Sequence, residues 1–479
     1  MPCIKDIKYF SLFDFIKDFL KMDNNSKMME LTSGNVNKGL IKLVVPMILA
    51  NLLNIAYNIV DTIWIGQMVG KSGLGAIAVS FPIILILLAI ASGITVAGNI
   101  LIGQYFGAND NDSVLYISRV ATTISVISAI ALSLIGYIFA PPLMKFLNAS
   151  ESIMEYSVSY FRISMIGFPF MFYYFLVAAL LRGIGDTIRP LIFLAIASIL
   201  NIILDPLMIA GIGPFPKMGL DGAAYATAFS QFISVIISMI YLKMKDSIVR
   251  ANPLRIVFNF KITKLMLKIG MPFAAMQLIV SISWLFLNRL INSYGESASA
   301  SIAVSMRVDS LSFLPLMALS AAIATMVAQN IGADRMDRIK SIYKSGCIIG
   351  ICISSFMALF SVMFPKLIVR MFTSDMSIFE YTRDYIYIVM PSIIFLSIMF
   401  ATNGVINGAG KTFTLMLFSF ISLIMVRVPL AYFLSSKIGI VGIWTSMGIV
   451  NFISMSLSLT YYFSNKWKKN ANIASQSAV

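Results

Sequence analysis

Two aspartates fall where a carboxylate is expensive. Asp61, in NIVDTIW, and Asp205, in NIILDPL, each lie inside a long apolar run. A charge at the bilayer centre costs about 2.5–3.5 kcal/mol even on the lenient insertion scale, so such a group needs a partner, water or a task. Around Asp61, the residues Asn51, Asn54 and Asn58 precede it at spacings of three, four and three. At 100° per residue these four occupy a helical stripe of about 80°. Asn201 and Asp205 are four apart and therefore share a face. Counting 1.5 Å per residue inward from the outer breaks at Gly70, Gly211 and Gly219 places Asp61, Asp205 and Thr227 at similar depth, roughly 9–13 Å in. Carboxylate, amide and hydroxyl oxygens at one depth suit a shared proton or a hard monovalent cation such as Na⁺. The rival role is interhelical hydrogen-bond glue, for which two acids are rarely needed.

Other chemistries find little support. Histidine is absent, which leaves carboxylates to carry any proton step. Cys3, Cys347 and Cys352 lack metal-ligand spacing. The string GAGKT superficially resembles a phosphate loop, but Val405 stands where its first glycine belongs and no strand precedes it. With no nucleophile beside a base and no ligand cluster, the chain is not expected to be an enzyme or to hold a resident cofactor. H⁺ or Na⁺ is the only ion the residues invite.

The elements that must position these groups are membrane spans. Hydrophobic residues make up 59% of the 479 and charged residues 12%, with a mean hydropathy of +0.88, far from the roughly 25% charged content of soluble domains. About twelve apolar runs long enough to cross a bilayer fall near 41–65, 75–104, 115–139, 156–180, 190–212, 219–242, 265–291, 298–329, 341–369, 383–407, 412–435 and 439–463. The net charge of +15 reports topology, and no nucleic-acid partner is expected. Lysines and arginines gather in the amino-terminal segment, the central loop (Lys243 to Lys268), the Arg335–Lys344 stretch and the tail (Lys466, Lys468, Lys469). If the spans alternate in order, all of these lie on one side, as the positive-inside rule requires. Both termini are thus expected to be cytoplasmic in a multi-pass protein of the cell membrane. Residues 4–21 mix charge with apolar residues and read as an interfacial helix, not a cleavable signal; a later start at Met22 or Met28 is the alternative.

The chain repeats itself. Shifted by about 225 positions, Ile77–Ser80 falls on Ile302–Ser305, Gly107-Ala108 on Gly332-Ala333, and Gly183, Gly185 and Thr187 on Gly408, Gly410 and Thr412, while Pro46 meets Pro272 with one position of drift. Six spans per unit make the halves parallel repeats about an axis along the membrane normal. The expected fold is an all-α membrane protein, twelve transmembrane helices in two pseudo-symmetric six-helix bundles. Its expected parts are a cytoplasmic segment over 1–39, a first lobe over 40–243, a cytoplasmic linker over 244–264, a second lobe over 265–464 and a cytoplasmic tail over 465–479.

The chemistry is not repeated. Asp61 aligns with Phe286, and Asp205, matched through Pro206 to Pro429, aligns with Val428. The second lobe carries its own charges, expected to be buried: Arg307 and Asp309 on span 8 and Arg427 on span 11. Residues two apart do not face each other on a helix, so Arg307 is a poor partner for Asp309, which is expected either to pair with Arg427 or to play a role separate from it.

The strings PMILANLLNIAYNIVDTIWIGQMVG, IGQYFGAND, LRGIGDT and NIILDP followed by GAAYAT resemble the multidrug and toxic compound extrusion (MATE) family, in its DinF-type and archaeal branch, over residues 38–465. The resemblance implies secondary active export of organic cations or amphipathic compounds by H⁺ or Na⁺ antiport with alternating access. It implies a first-lobe cation site at Asp61, Asn201, Asp205 and Thr227, with Tyr160 a weaker match, and bending of span 1 at Pro46. Asn54, Asn58, Trp64 and Tyr174 are candidates to line the substrate cavity. The family's alternative glutamate on span 7 has no counterpart, since that region offers only Gln277. The expected partners are small-molecule substrates and the lipid bilayer, with the chain acting as a monomer. The rival reading is a lipid-linked oligosaccharide flippase of the same superfamily, which Arg289, Arg307 and Arg427 would favour and the two first-lobe acids oppose.

Overall fold

The structure, a computed structural model, describes residues 31–245, 247–372 and 376–475; the expected interfacial helix over 4–21 lies outside them. Among the described residues twelve helices are long and apolar enough to cross a membrane. In the first lobe these are α1 (Val36–Met68), α2 (Lys71–Gly107), α3 (Asn111–Ile138), α4 (Glu151–Gly183), α5 (Ile188–Ala210) and α6 (Leu220–Met244). In the second they are α7 (Phe260–Asn292), α8 (Glu296–Gly332), α9 (Met336–Met363), α10 (Met376–Gly408), α11 (Thr412–Ile438) and α12 (Ile440–Phe463). They match the expected spans, mostly to within a few residues. Span 9 is the main departure: the helix stops at Met363, and a separate short helix runs Pro365–Phe372. Pro365 has no N–H to donate and pushes Phe364 out of the helical region, to φ −126° and ψ 49°. The first lobe has the same device, a short Ala140–Phe146 helix with proline in its first turn.

Packing repeats with the sequence. In the first lobe α4 packs on α2, α3 and α6, and α5 on α6 and α1. In the second, α10 packs on α8, α9 and α12, and α11 on α12 and α7. Among the described residues the lobes are joined where α2 and, more lightly, α4 lie against α8, where α7 lies against α2 and α3, and where the first half of α1 lies against α8 and α9. Leu40, Leu43 and Val44 of α1 are accordingly buried in one cluster with Leu319, Ile323 and Ile339 of the second lobe. Where α7 crosses α2, a Cβ on Gly93 would meet the Gly270 carbonyl oxygen at 2.4 Å. Small residues there let two backbones touch, which is how helices associate in lipid, where burial of apolar surface gives no drive.

At the end of the bundle that holds the glycine-rich turns the lobes clasp each other. Gln104, near the end of α2, donates through Nε2 to Gly408 O (3.2 Å) and Ala471 O (3.0 Å) and accepts from Ile473 N (2.8 Å). Its repeat counterpart Gln329, near the end of α8, donates to Gly183 O (2.8 Å) and accepts from Leu31 N (3.2 Å). Both glutamines are fully buried. Each reaches into the other lobe's turn, and the chain segments before α1 and after α12 close over them.

Candidate functional site

The second half of α1 meets α4, α5 and α6 at the carboxylates. Asn201 Nδ2 donates to Asp205 Oδ1 (2.9 Å) and to Thr227 Oγ1 (3.2 Å). The Tyr57 hydroxyl lies 3.3 Å from the same Thr227 oxygen. The Asp61 and Asp205 carboxyl groups lie in each other's electrostatic field, and Tyr160 stands in the field of both. Asn201 and Asp205 are buried. All five sequence-derived residues therefore converge, in keeping with the similar depth of Asp61, Asp205 and Thr227.

Their hydrogen bonding is incomplete in one direction. Asp61 Oδ1, Asp205 Oδ2 and Asn201 Oδ1 are buried acceptors with no donor among the described residues. Unmet acceptors in a low-dielectric interior are costly, and two ionised carboxylates in contact repel. A proton between them, or a small hard cation held by carboxylate and amide oxygens, satisfies both demands at once. Pro206 adds to the oxygen-rich character, since it cannot donate to the Ile202 carbonyl one turn back.

Tyr57 is a member of the site that the sequence reading passed over. It lies four residues before Asp61, so helical spacing alone sets it on the same face. The asparagine stripe of α1 divides its work. Asn51 Nδ2 reaches Leu314 O of α8 across the lobe boundary at 3.5 Å. Asn58, which is exposed, donates to Asn54 Oδ1 at 2.7 Å. Trp64 is half-buried against the same small cluster as Tyr160, and its Nε1 has no partner among the described residues. Tyr174 is buried in the first-lobe core and donates to Pro190 O at 3.0 Å, which makes it a brace between α4 and α5. Through Pro46, α1 runs as one uninterrupted helix.

The second lobe differs from expectation. Arg307 is exposed and lies over the Phe372 ring at 5.8 Å, so it is not a buried charge; its long stem carries the head away from the core. Asp309 and Arg427 do share a buried pocket, but not as an ion pair. The Tyr385 hydroxyl donates to Asp309 Oδ2. Arg427 lays its guanidinium over Trp284 at 4.6 Å, leaving its Nε and Asp309 Oδ1 unpartnered. Arg427 is delivered there by a π-helical stretch, Phe420–Arg427, whose Leu423 carbonyl accepts from Ser283 of α7 at 2.9 Å. Tyr385 is the repeat counterpart of Tyr160, so each lobe sets a tyrosine near a carboxyl, while in the first lobe a second acid, Asp61, joins the one on α5. Arg289 is exposed like Arg307, whereas Arg427 is buried, so the three arginines that would favour an anionic lipid cargo do not share one environment.

A family model described as MatE matches twice, over residues 46–207 and 272–433, and the two matches lie 226 positions apart, the spacing of the internal repeat. Among curated proteins, the "Probable multidrug resistance protein YoeA" of Bacillus subtilis is 28% identical over 89% of this chain and 93% of its own length. An "FAD transporter" of Shewanella oneidensis is 26% identical over 88% of this chain and 93% of its own. A solved structure titled "Crystal structure of MATE in the straight conformation" superposes with a TM-score of 0.86 at 22% identity, covering 93% of this chain and 99% of that one.

Proposed function

The chain belongs to the multidrug and toxic compound extrusion family, and we propose from that premise that it is a secondary active efflux transporter which exports organic cations or amphipathic compounds in exchange for H⁺ or Na⁺. The observation that carries the reading is the set of three unpartnered acceptors on Asp61, Asp205 and Asn201, buried at the meeting of α1, α5 and α6. The coupling ion binds there; Thr227, Tyr57 and Tyr160 complete the shell. Names of relatives include both multidrug and FAD transport, so family membership alone does not select the cargo. The acids in the first lobe favour cations, because a cavity lined by one sign of charge concentrates the opposite sign.

The carrier acts as a monomer in the cell membrane with both termini cytoplasmic, a placement supported by the basic residues at the clasped face. There the Gln104–Gln329 clasp is the cytoplasmic gate, and its opening and closing alternate access to the space between lobes. A proton falling through about 100 mV and one pH unit supplies roughly 3.7 kcal/mol, enough for about a 500-fold gradient of a neutral solute. The test is efflux of ethidium from proteoliposomes under an imposed H⁺ or Na⁺ gradient. Asp205→Asn abolishes coupled efflux in a folded protein, whereas Phe286→Ala and Val428→Ala, at the second-lobe counterparts, retain it. Full coupled activity in Asp205→Asn refutes the assignment.

A further inference from the structure

The segment between the lobes has a surface that neither the coupling site nor the clasp uses. After a turn at Asn252–Arg255 the chain runs without regular secondary structure to Asn259, whose backbone is extended, and enters α7. Its inner side is tied to α3: Val257 N donates to Thr123 Oγ1 (2.9 Å) and Asn259 Nδ2 to the Tyr116 hydroxyl (3.2 Å). Its outer side carries Leu254, Ile256, Phe258 and Phe260, which are 87%, 73%, 63% and 71% exposed. An extended chain alternates its side chains, and Ile256, Phe258 and Phe260 follow that period. Four large apolar residues so fully uncovered are not tolerated facing water without a purpose.

Beside this strap lies a cavity of about 430 Å³ lined by Arg119 of α3, Lys243 of α6, and Arg250 and Arg255 of the linker, with Met239 and Ile240 forming an apolar wall. Arg119 lies within the repulsive field of both Arg250 and Arg255. Among the described residues no carboxylate forms an ion pair with Arg119, Lys243 or Arg255. Cations held together at the end of a spanning helix, with an apolar wall running up that helix, match an amphiphile that has an anionic head and a hydrocarbon tail.

We propose that this cavity binds the phosphate of an anionic phospholipid of the adjacent leaflet, its acyl chain lying along Met239 and Ile240, while Ile256, Phe258 and Phe260 insert beside it and moor the interlobe linker to the membrane. Guanidinium groups suit the phosphate because they present forked donors in a plane. The apolar strap selects lipid over a soluble phosphate, which would gain nothing from it.

Native mass spectrometry of the full chain tests the site, with titration of phosphatidylglycerol and phosphatidylcholine of equal chain length. Each basic residue near an anionic headgroup contributes about fivefold. Wild type retains phosphatidylglycerol preferentially, and Arg119→Gln/Arg255→Gln binds it about 30-fold more weakly with phosphatidylcholine unchanged. Equal retention of both lipids by wild type, or unchanged phosphatidylglycerol binding in the double variant, overturns the proposal. Displacement of the lipid by millimolar inorganic phosphate assigns the pocket to a soluble anion and overturns it as well. Should the double variant fail to fold, the wild-type comparison still decides, as does Ile256→Ser/Phe258→Ser, whose side chains are outside the core and whose loss weakens lipid retention several-fold.

Discussion

The clasp invites a steric experiment at Gly107 and Gly332. A Cβ built on Gly107 falls 2.0 Å from the Gln329 carbonyl oxygen, and one on Gly332 falls 1.8 Å from the Gln104 carbonyl oxygen. Ordinary contact begins near 3.4 Å, so alanine at either position drives the ends of α2 and α8 apart by roughly 1.4 Å. The five bonds made by Gln104 and Gln329 measure 2.8–3.2 Å, and a displacement of that size carries the affected ones beyond hydrogen-bond range. Losing two to four of them at about 1 kcal/mol each costs the closed arrangement roughly 2–4 kcal/mol, a shift of about 30- to 1,000-fold in the closing equilibrium. Spin labels at Asp112→Cys and Lys340→Cys, both exposed at the clasped face, in a background without the native cysteines, report the separation. Gly107→Ala and Gly332→Ala broaden and lengthen that distance and slow ethidium efflux. Gly66→Ala, whose Cβ meets Leu74 at an ordinary 3.6 Å, is the control. An unchanged distance distribution in both clasp variants would show that these bonds do not hold the gate.

Further outcomes follow from the same geometry. Tyr57→Phe removes a hydroxyl near Thr227 and raises the ion concentration for half-maximal efflux a few-fold without abolishing transport; an unchanged ion dependence excludes Tyr57 from the shell. Tyr385→Phe strips the Asp309 carboxyl of its donor and costs about 1–3 kcal/mol of stability, read as a lower unfolding temperature in detergent. Because Arg427 does not touch Asp309, adding Arg427→Gln to Asp309→Asn gives little rescue; restoration to wild-type stability would reinstate the ion pair. Pro46→Ala restores the helical donor to Lys42 and removes the one soft point in the first half of α1, slowing efflux while leaving ion affinity at Asp61 and Asp205 unaltered, as measured by ion-dependent protection against thermal unfolding.

What could be read before the structure, and what could not, divides along the range of the interactions. The spans were legible because membrane burial acts on every residue of a run, and Asp61, Asn201, Asp205 and Thr227 could be placed together because helical rise converts sequence position into depth. Tyr57 was equally accessible from its four-residue spacing. The orientation of Arg307 was not, because a helical phase says which residues share a face but not which face meets lipid. Nor was the partner of Asp309: two opposite charges in one lobe suggest a pair, yet the π-helical stretch before Val428 rotates Arg427 onto Trp284 and leaves Tyr385 to serve the acid. The clasp depends on reciprocal contact between distant turns, and the only trace it left in sequence was the recurrence of Gln104 as Gln329 beside the repeated Gly-Ala.

The division between repeated and unrepeated parts also says where bias toward one state can enter. Gln104 and Gln329 make similar bonds in both directions, so the clasp by itself contains no ion-sensing group and closes equally from either lobe. An ion can favour one state only through a group whose interactions differ between states. On the proposed reading that group is the Asp61–Asp205 pair, and α1 is the element able to transmit it: its second half carries Asp61 and Tyr57 against α5 and α6, and its first half is buried against α8 and α9 of the other lobe. Among the described residues no other helix of the first lobe combines a member of the ion site with burial in the second-lobe core. On that reading a change in how Asp61 sits against Asp205 acts on both lobes through one continuous rod, and the Pro46→Ala variant tests whether Pro46, which lies between Val44 of the buried stretch and Tyr57 of the ion site, sets how much of that change is passed on.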